Sequence, residues 1–318
     1  MSAVVITEFM DEAAVAALSG RLQTHYDPAL ADRPETIPSL LGEALALIVR
    51  NRTRVTSDLL DAAPQLRCVG RLGVGLDNID LEACNSRGVT VFPATGANNA
   101  SVAEYVIANA MTLLRGAYLS TQAMLEGEWP RQALIGREIA DKVMGLIGFG
   151  AIAREVALRA QMLGMQVVAF DPYRPADDPA WQLARNVTLE GALNSADVVS
   201  LHTPLTEATR HMINADTLAQ MKKGAVIINA ARGGIIDEEA LAEALRSGAL
   251  GGAALDVFET EPLTAAAAQT FAGLSNLVLT PHIAGVTEES NVRVSAMIAG
   301  TVLEHLHQTG DSAEEAGS

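Results

Sequence analysis

The sequence predicts an α/β chain built on two parallel sheets, the larger a doubly wound sheet inserted in a smaller α/β unit. From Val143 onward six short apolar runs alternate with helix-length segments: "KVMGLIG", "MQVVAF", "ADVVSLH", "GAVIINAA", "GGAALDVF" and "NLVLTPH". Short apolar runs bounded by Gly, Asp or Pro are the mark of strands covered on both faces, as parallel sheets require. A second series precedes them in "AVVI", "LALIVR", "LRCVGR" and "GVTVFPA". Finally, the glycine-rich stretch "GLIGFGAIA" falls between the first run of the larger series and a helical pattern.

Composition bounds the class. At 318 residues and 49% hydrophobic content the chain can form two cores. No apolar run approaches the roughly 18 to 20 residues that span a bilayer. The start "MSAVVITEFMDE" carries Glu8, Asp11 and Glu12 where a signal peptide would have cations. A soluble, unexported, cytoplasmic protein is expected. Cys68 and Cys84 lack a C-x-x-C spacing, so reduced thiols are expected, with neither a disulfide framework nor a metal site. The net charge of −16 repels phosphate backbones and anionic head groups, which argues against nucleic acid and membrane partners. Only Lys142, Lys222 and Lys223 are lysines and the other cations are arginines, a balance compatible with a salt-adapted or a GC-rich source. An anionic substrate in this negative field needs locally gathered positive charge, which directs attention to the arginines.

In chain order, the four early runs form the smaller unit. "NNASVAEYVIANAMTLLRGAYLSTQAMLEGEW" has few breakers and reads as one long connecting helix. The glycine loop and the six-stranded series follow. After the loop, Ile152, Val156, Ala160 and Leu163 recur at helical spacing and mark one face. "HIAGVTEESNVRVSAMIAGTVLEHLHQ" reads as a helix that begins where the sixth strand stops and returns to the first unit. The expected domains are therefore 1–98 with 286–318, discontinuous, and 99–285 inserted between them. The tail "TGDSAEEAGS" is small and acidic and is expected to be disordered.

The glycine loop has the context of a dinucleotide-binding (Rossmann) turn. Gly148 suits a tight turn, Gly150 the close approach of a pyrophosphate, and Ala153 close helix-on-strand packing. The N–H groups at the helix start, at Ala151 and Ile152, offer free donors and a positive dipole end to phosphates. Asp171, at the end of the next strand, can accept from ribose hydroxyls and would repel a 2′-phosphate. NAD is expected over NADP, with Arg174 close enough to blunt that preference.

Five segments in order carry a family resemblance: "IVRNRTRVTSDLL", "VGRLGVGLDNIDLEA", "INAARGGIIDEEAL", "ALDVFETEP" and "LTPHIAG". Over about residues 40–290 the chain resembles the D-isomer-specific 2-hydroxyacid dehydrogenases, in their phosphoglycerate-dehydrogenase-like branch and in the short form without a regulatory domain. The resemblance implies a Rossmann nucleotide domain and a smaller flavodoxin-like substrate domain. It also implies closure of the two around the substrate and a homodimer built through the connecting helix region and the nucleotide domain.

By matching motifs, the resemblance makes Arg232, Glu261 and His282 the catalytic set. The chemistry needs these types. Oxidising a 2-hydroxy acid requires a base for the hydroxyl proton, and histidine titrates near working pH. A carboxylate on the imidazole orients it and favours the imidazolium. A guanidinium can pair with the substrate carboxylate and polarise a C2 carbonyl. The cofactor side is expected to include His202, Thr203, Pro204, Ala230, Ala231, Arg232, His282 and Gly285. Asp256 either holds the carboxamide or steadies the site, and His211 is read as structural. Backbone N–H groups around Val74 and Gly75 resemble the loop that grips the substrate carboxylate. Arg50, Arg71 and Arg131 are candidates for a second anionic group.

That set points to an anionic group at C3, as in 3-phosphoglycerate or 3-sulfolactate. Leu72 where small Ala is common, and "PATGANN" in place of "NTPxGN", depart from the phosphoglycerate pattern and suit a shorter acid. With sulfolactate the descriptor becomes S for the same arrangement as a D-acid, because CH2-sulfonate outranks carboxylate. Glyoxylate or hydroxypyruvate reduction is an alternative, as is phosphite or formate oxidation. An NAD-sensing corepressor-like binding protein is the alternative of another class, with the intact Arg, Glu and His set against it.

Overall fold

The computed structural model describes residues 2–315, and its fold is α/β with two wholly parallel sheets. The chain divides into two compact units, Met1–Asn98 with Val286–Ser318, and Asn99–Gly285.

In the first unit, strands β1 (Val4–Ile6), β2 (Thr24–Tyr26), β3 (Ala46–Val49), β4 (Cys68–Arg71) and β5 (Thr90–Pro93) lie in the order β2-β1-β3-β4-β5. Val4 pairs with Ala46, Ala46 with Cys68, and Cys68 with Thr90. Alternate side chains supply two cores. Val5, Leu47 and Val69 meet Leu30, Ile37 and Leu59 on one face. Val4, Ile6 and Ile48 meet Met10, Leu18, Ile298 and Val302 on the other. The helix Glu288–Glu315 therefore packs on this sheet. Gly70 permits it, because a Cβ there would fall 2.6 Å from Ile298 Cγ2. Both cysteines are buried here and free, and burial pushes the Cys68 thiol up to about 12.

The second unit holds β6 (Val143–Ile147), β7 (Gln166–Phe170), β8 (Arg185–Asn186), β9 (Val198–Leu201), β10 (Val226–Asn229), β11 (Gly252–Leu255) and β12 (Leu277–Leu279). Their order is β12-β11-β10-β9-β6-β7-β8. The winding reverses between β6 and β9, and such a switch opens a crevice at the carboxyl ends of the strands. Strands β9, β10 and β11 are fully buried and β6 is buried beyond Val143, which accounts for their unbroken apolar runs.

Several expectations need correction. The second sheet has a seventh strand, the exposed edge pair Arg185–Asn186, and the first has a fifth, Thr24–Tyr26. Neither has an apolar run: the three residues of β2 are only half-buried and include Thr24 and His25, and both residues of β8 are polar and exposed. The connecting helix ends at Arg115, where Gly116 turns into the left-handed region at φ 66°. A glycine there closes a helix at no Cβ cost. Two short turns of helix follow, Ala117–Leu119 and Thr121–Leu125. The helix after the glycine loop runs Ala151–Met162 and buries Ala153, Val156, Ala157 and Ala160, with Leu163 just beyond it. The return helix starts only at Glu288, after an intervening loop, and continues to Glu315. Propagating a formed helix is cheap compared with nucleating one, so a polar tail can extend it. Residues 316–318 of the expected disordered tail lie outside the described residues.

Candidate active site

Three loops at the carboxyl ends of adjacent strands β10, β11 and β12 bring together Arg232, Glu261 and His282. His282 Nδ1 lies 2.8 Å from Glu261 Oε2, and both side chains remain partly open, at 44% and 36% exposure. Glu261 Oε1 accepts from the Phe258 N–H at 3.0 Å. Burial pushes the Glu261 carboxyl up, but the His282 and Phe258 hydrogen bonds and the charges of His282 and Arg232 outweigh it. They hold the group below the usual carboxylate range.

The loops are shaped by residues that do not enter the chemistry. Asn229, at the end of β10 and 2% exposed, accepts from Ala231 N–H and donates to the Arg232 carbonyl, which fixes the turn bearing Ala230, Ala231 and Arg232. Arg232 Nη1 donates to the Ala231 carbonyl at 2.6 Å. Gly233 then passes so close that a Cβ would fall 1.7 Å from the Phe258 carbonyl oxygen, and this approach sets the arginine loop on the glutamate loop. Glu238 Oε1 accepts from Glu259 N–H at 2.8 Å, and Glu259 Oε1 accepts from Glu238 N–H at 3.3 Å. His211 Nε2 meets the same Glu259 oxygen at 3.1 Å.

His282 itself is held in the left-handed region at φ 52°, a conformation that costs a non-glycine residue. Asp256, 1% exposed, restrains it. Its backbone oxygen accepts from the His282 N–H at 2.8 Å, its Oδ1 from Thr280 Oγ1 and the Ile283 N–H, and its Oδ2 from the Ala284 N–H. These bonds tie Asp256 to the His282 turn. Gly285 follows at the end of the unit.

The crevice between β6 and β9 carries the other cofactor-side residues. Gly148 has φ 88°, and a Cβ there would fall 2.6 Å from the His202 carbonyl oxygen. Gly150 faces open space and begins the helix Ala151–Met162 with no side-chain cap, which leaves the Ala151 and Ile152 end available. Asp171 Oδ2 accepts from the Phe149 N–H at 2.9 Å and Oδ1 from the Tyr173 N–H at 3.0 Å, which ties the carboxylate to the glycine turn. Arg174 pairs with Asp178 and donates to the Phe149 carbonyl, 2.8 Å distant, so it lies beside the same glycine turn. His202 sits 2.9 Å from Ser200 Oγ, and burial pushes its imidazole down to about 4, so it stays neutral at neutral pH. Thr203 Oγ1 is buried with no protein partner, and Pro204 follows it. An open glycine cradle, a capless helix start and an orphaned hydroxyl are what a dinucleotide pyrophosphate would complete, so these residues fit NAD.

In the first unit, Arg50 follows β3 and donates through Nη2 to Asn291 Oδ1 at 2.7 Å. Burial lowers its pKa, and the nearby Glu8 charge works against that. Glu8 escaped sequence reasoning. It is 4% exposed and accepts the N–H groups of Arg50, Asn51, Arg52 and Thr53, stapling the arginine-bearing loop from the end of β1. Arg71 ends β4 and folds over Gly73, whose Cβ would collide with its guanidinium, next to Val74 and Gly75. Arg131 lies in the segment that follows Thr121–Leu125. It lines a cavity of about 370 Å³ with Arg115, Trp129, Pro130, Leu134 and Ile135. Among the described residues no cluster of His, Cys, Asp and Glu is placed to hold a metal, and no helix is long and apolar enough to cross a membrane.

Residues 107–284 match the D-isomer specific 2-hydroxyacid dehydrogenase NAD-binding domain. The chain belongs to this family of NAD-dependent oxidoreductases, in its phosphoglycerate-dehydrogenase-like branch. It is 57% identical over 296 residues to (S)-sulfolactate dehydrogenase of Chromohalobacter salexigens, covering 93% of this chain and 95% of that one. It is 40% identical over 259 residues to D-3-phosphoglycerate dehydrogenase of Bacillus subtilis, covering 81% of this chain but 49% of that protein. Among solved structures, D-lactate dehydrogenase from Aquifex aeolicus complexed with NAD and lactic acid superposes with a TM-score of 0.80 at 28% identity, covering 99% and 98% of the two chains.

Proposed function

We propose that this enzyme oxidises the C2 hydroxyl of (S)-3-sulfolactate, a 2-hydroxy acid with an anionic group at C3, in the cytoplasm. The observation that carries the chemistry is the pairing of His282 with Glu261 beside Arg232 at three neighbouring strand ends. His282 Nε2, the ring nitrogen left free by Glu261, takes the hydroxyl proton as base and returns it in reduction. Glu261 holds the ring by its Nδ1 and offsets the positive charge the imidazole acquires. Arg232 binds the substrate carboxylate and steadies negative charge at the C2 oxygen. NAD supplies the hydride acceptor when bound. Asp171 keeps the adenosine end selective for NAD by repelling a 2′-phosphate, while Arg174, at the same glycine turn, has its charge paired with Asp178.

We assign the C3 anion to Arg50 and Arg71 and the carboxylate to the N–H groups at Val74 and Gly75. Support for sulfonate over phosphate comes from the 57% identity to a sulfolactate dehydrogenase and from Leu72, buried in the core beside the loop's first residues and bulkier than alanine.

The reading is tested by initial rates of NAD and NADP reduction at alkaline pH with both enantiomers of 3-sulfolactate, D-3-phosphoglycerate, D-glycerate, D-malate and D-lactate. A preference of at least about 10²-fold in kcat/KM for (S)-3-sulfolactate, with NAD ahead of NADP, is expected, since a site built around a charged group discriminates that strongly. An equal or higher value for D-3-phosphoglycerate or D-glycerate would overturn the substrate assignment.

The enzyme is further proposed to be a homodimer. Leu125, Trp129 and Ile135 are 78%, 76% and 73% exposed on the segment after Gly116, and a second copy would bury them. Sedimentation velocity should give twice the chain mass, falling toward the monomer in Trp129→Ser with Ile135→Ser. A monomeric wild type sinks this idea.

A further inference from the structure

A hydrogen-bonded line connects the helix Asn99–Arg115 to the turn that carries His282. The Tyr105 hydroxyl is 2.7 Å from Thr280 Oγ1, and Thr280 Oγ1 is 2.6 Å from Asp256 Oδ1. Chemistry fixes the direction of this line. Backbone N–H groups donate to both oxygens of the Asp256 carboxylate, so it serves as the acceptor. Thr280 has one hydroxyl hydrogen and directs it at Asp256, so the hydrogen between Thr280 and Tyr105 comes from Tyr105. Donors aligned head to tail in this way polarise and strengthen one another.

Asp256 is the residue that restrains His282, holding its N–H by a backbone oxygen and the next two N–H groups by the carboxylate. The carboxylate can do this only in one rotamer, and the Thr280 hydroxyl selects that rotamer. Thr280 has a freely turning hydroxyl of its own, and Tyr105 removes that freedom. The Tyr105 ring is anchored on a seventeen-residue helix that contacts β10 and β11, so it is a firm reference for the loop.

We propose that Tyr105 is a positioning residue for the acid/base: through Thr280 and Asp256 it sets the backbone of the His282 turn, and so the angle of the imidazole against Glu261 and the substrate. The inference rests on His282 being the acid/base. Burial, aided by the Asp256 charge, raises the Tyr105 pKa, so the phenol keeps its proton at the alkaline pH of an oxidation assay.

Tyr105→Phe keeps the ring and removes one oxygen. With the panel acid that the wild type oxidises fastest, kcat should fall about tenfold while KM for acid and NAD stays within about twofold, as expected when a bound substrate meets a misplaced base. Thr280→Val should do the same and Thr280→Ser should not. The double variant Tyr105→Phe, Thr280→Val should be no slower than Thr280→Val alone, because residues acting through one line are not additive. Melting temperatures read alongside separate this from loss of fold. A wild-type kcat in Tyr105→Phe, a change confined to KM, a loss explained by a fallen melting temperature, or losses that multiply would each overturn the proposal. His282→Asn serves as the reference. If that variant retains full activity, the assignment of the base is wrong, whereas an inert His282→Asn beside an unaffected Tyr105→Phe refutes the Tyr105 line alone.

Discussion

Replacing His282 by asparagine lowers kcat by about 10²- to 10⁴-fold, the range removed with a general acid/base. Binding of NADH, read by fluorescence titration, should fall far less than kcat, because the cradle at Gly148 and Gly150 and the Thr203 hydroxyl lie at other strand ends and His282 is only one of the cofactor-side residues. Asparagine still offers Glu261 a hydrogen-bond donor, so the loop keeps its tie and the loss reports proton transfer. The pH profile should lose the limb that belongs to the imidazole. Glu261→Gln is expected to fall between the variant and the wild type, since it keeps an acceptor for Nδ1 but no charge to offset the imidazolium. The acid behaviour of Glu261 has a definite sign. Its folded pKa is depressed, so its contribution to stability is present above the ordinary carboxylate range and is lost as the pH falls through the folded value. An enzyme that stays active with asparagine at 282 would show that another group takes the proton.

Much of this arrangement is legible in the sequence, for reasons that differ by element. β6, β9, β10 and β11 are buried on both faces, and burial on both faces leaves an unbroken apolar run. β2 and β8 are edge strands with half-buried or exposed side chains, so they leave no such trace. Gly116 is indistinguishable in the sequence from a tolerated helix glycine. Only its left-handed φ shows that the helix stops there. At the site, Arg232, Glu261 and His282 are found because the reaction demands their types and the family resemblance supplies their loops. Glu8, Asn229, Tyr105 and Thr280 are not found. Asn229 acts by hydrogen bonds to its own turn, and Glu8, Tyr105 and Thr280 act by contacts across the fold, 42 residues apart for Glu8 and Arg50 and 175 for Tyr105 and Thr280, and no periodicity records such contacts.

Arg232→Gln is expected to lower kcat/KM by about 10²- to 10³-fold, the loss typical of removing a charged donor aimed at a developing oxyanion. Both constants should suffer, because the same guanidinium binds the carboxylate in the ground state and steadies charge at C2 in the transition state. Arg232→Lys tests which property matters. Lysine restores the charge but not the planar fork, so if two oxygens are held at once it recovers at most a small part of the loss. A lysine variant close to wild type would mean that Arg232 acts as a point charge, and the carboxylate would then have to be held chiefly by the Val74 and Gly75 N–H groups. The glutamine variant carries a second signature. The Arg232 charge helps to hold the Glu261 carboxyl down, so its removal should raise the pH at which Glu261 takes up a proton and its support of the imidazole is lost. That shift should appear in kcat, where carboxylate binding no longer matters, which separates the electrostatic link between Arg232 and Glu261 from the loss of substrate affinity.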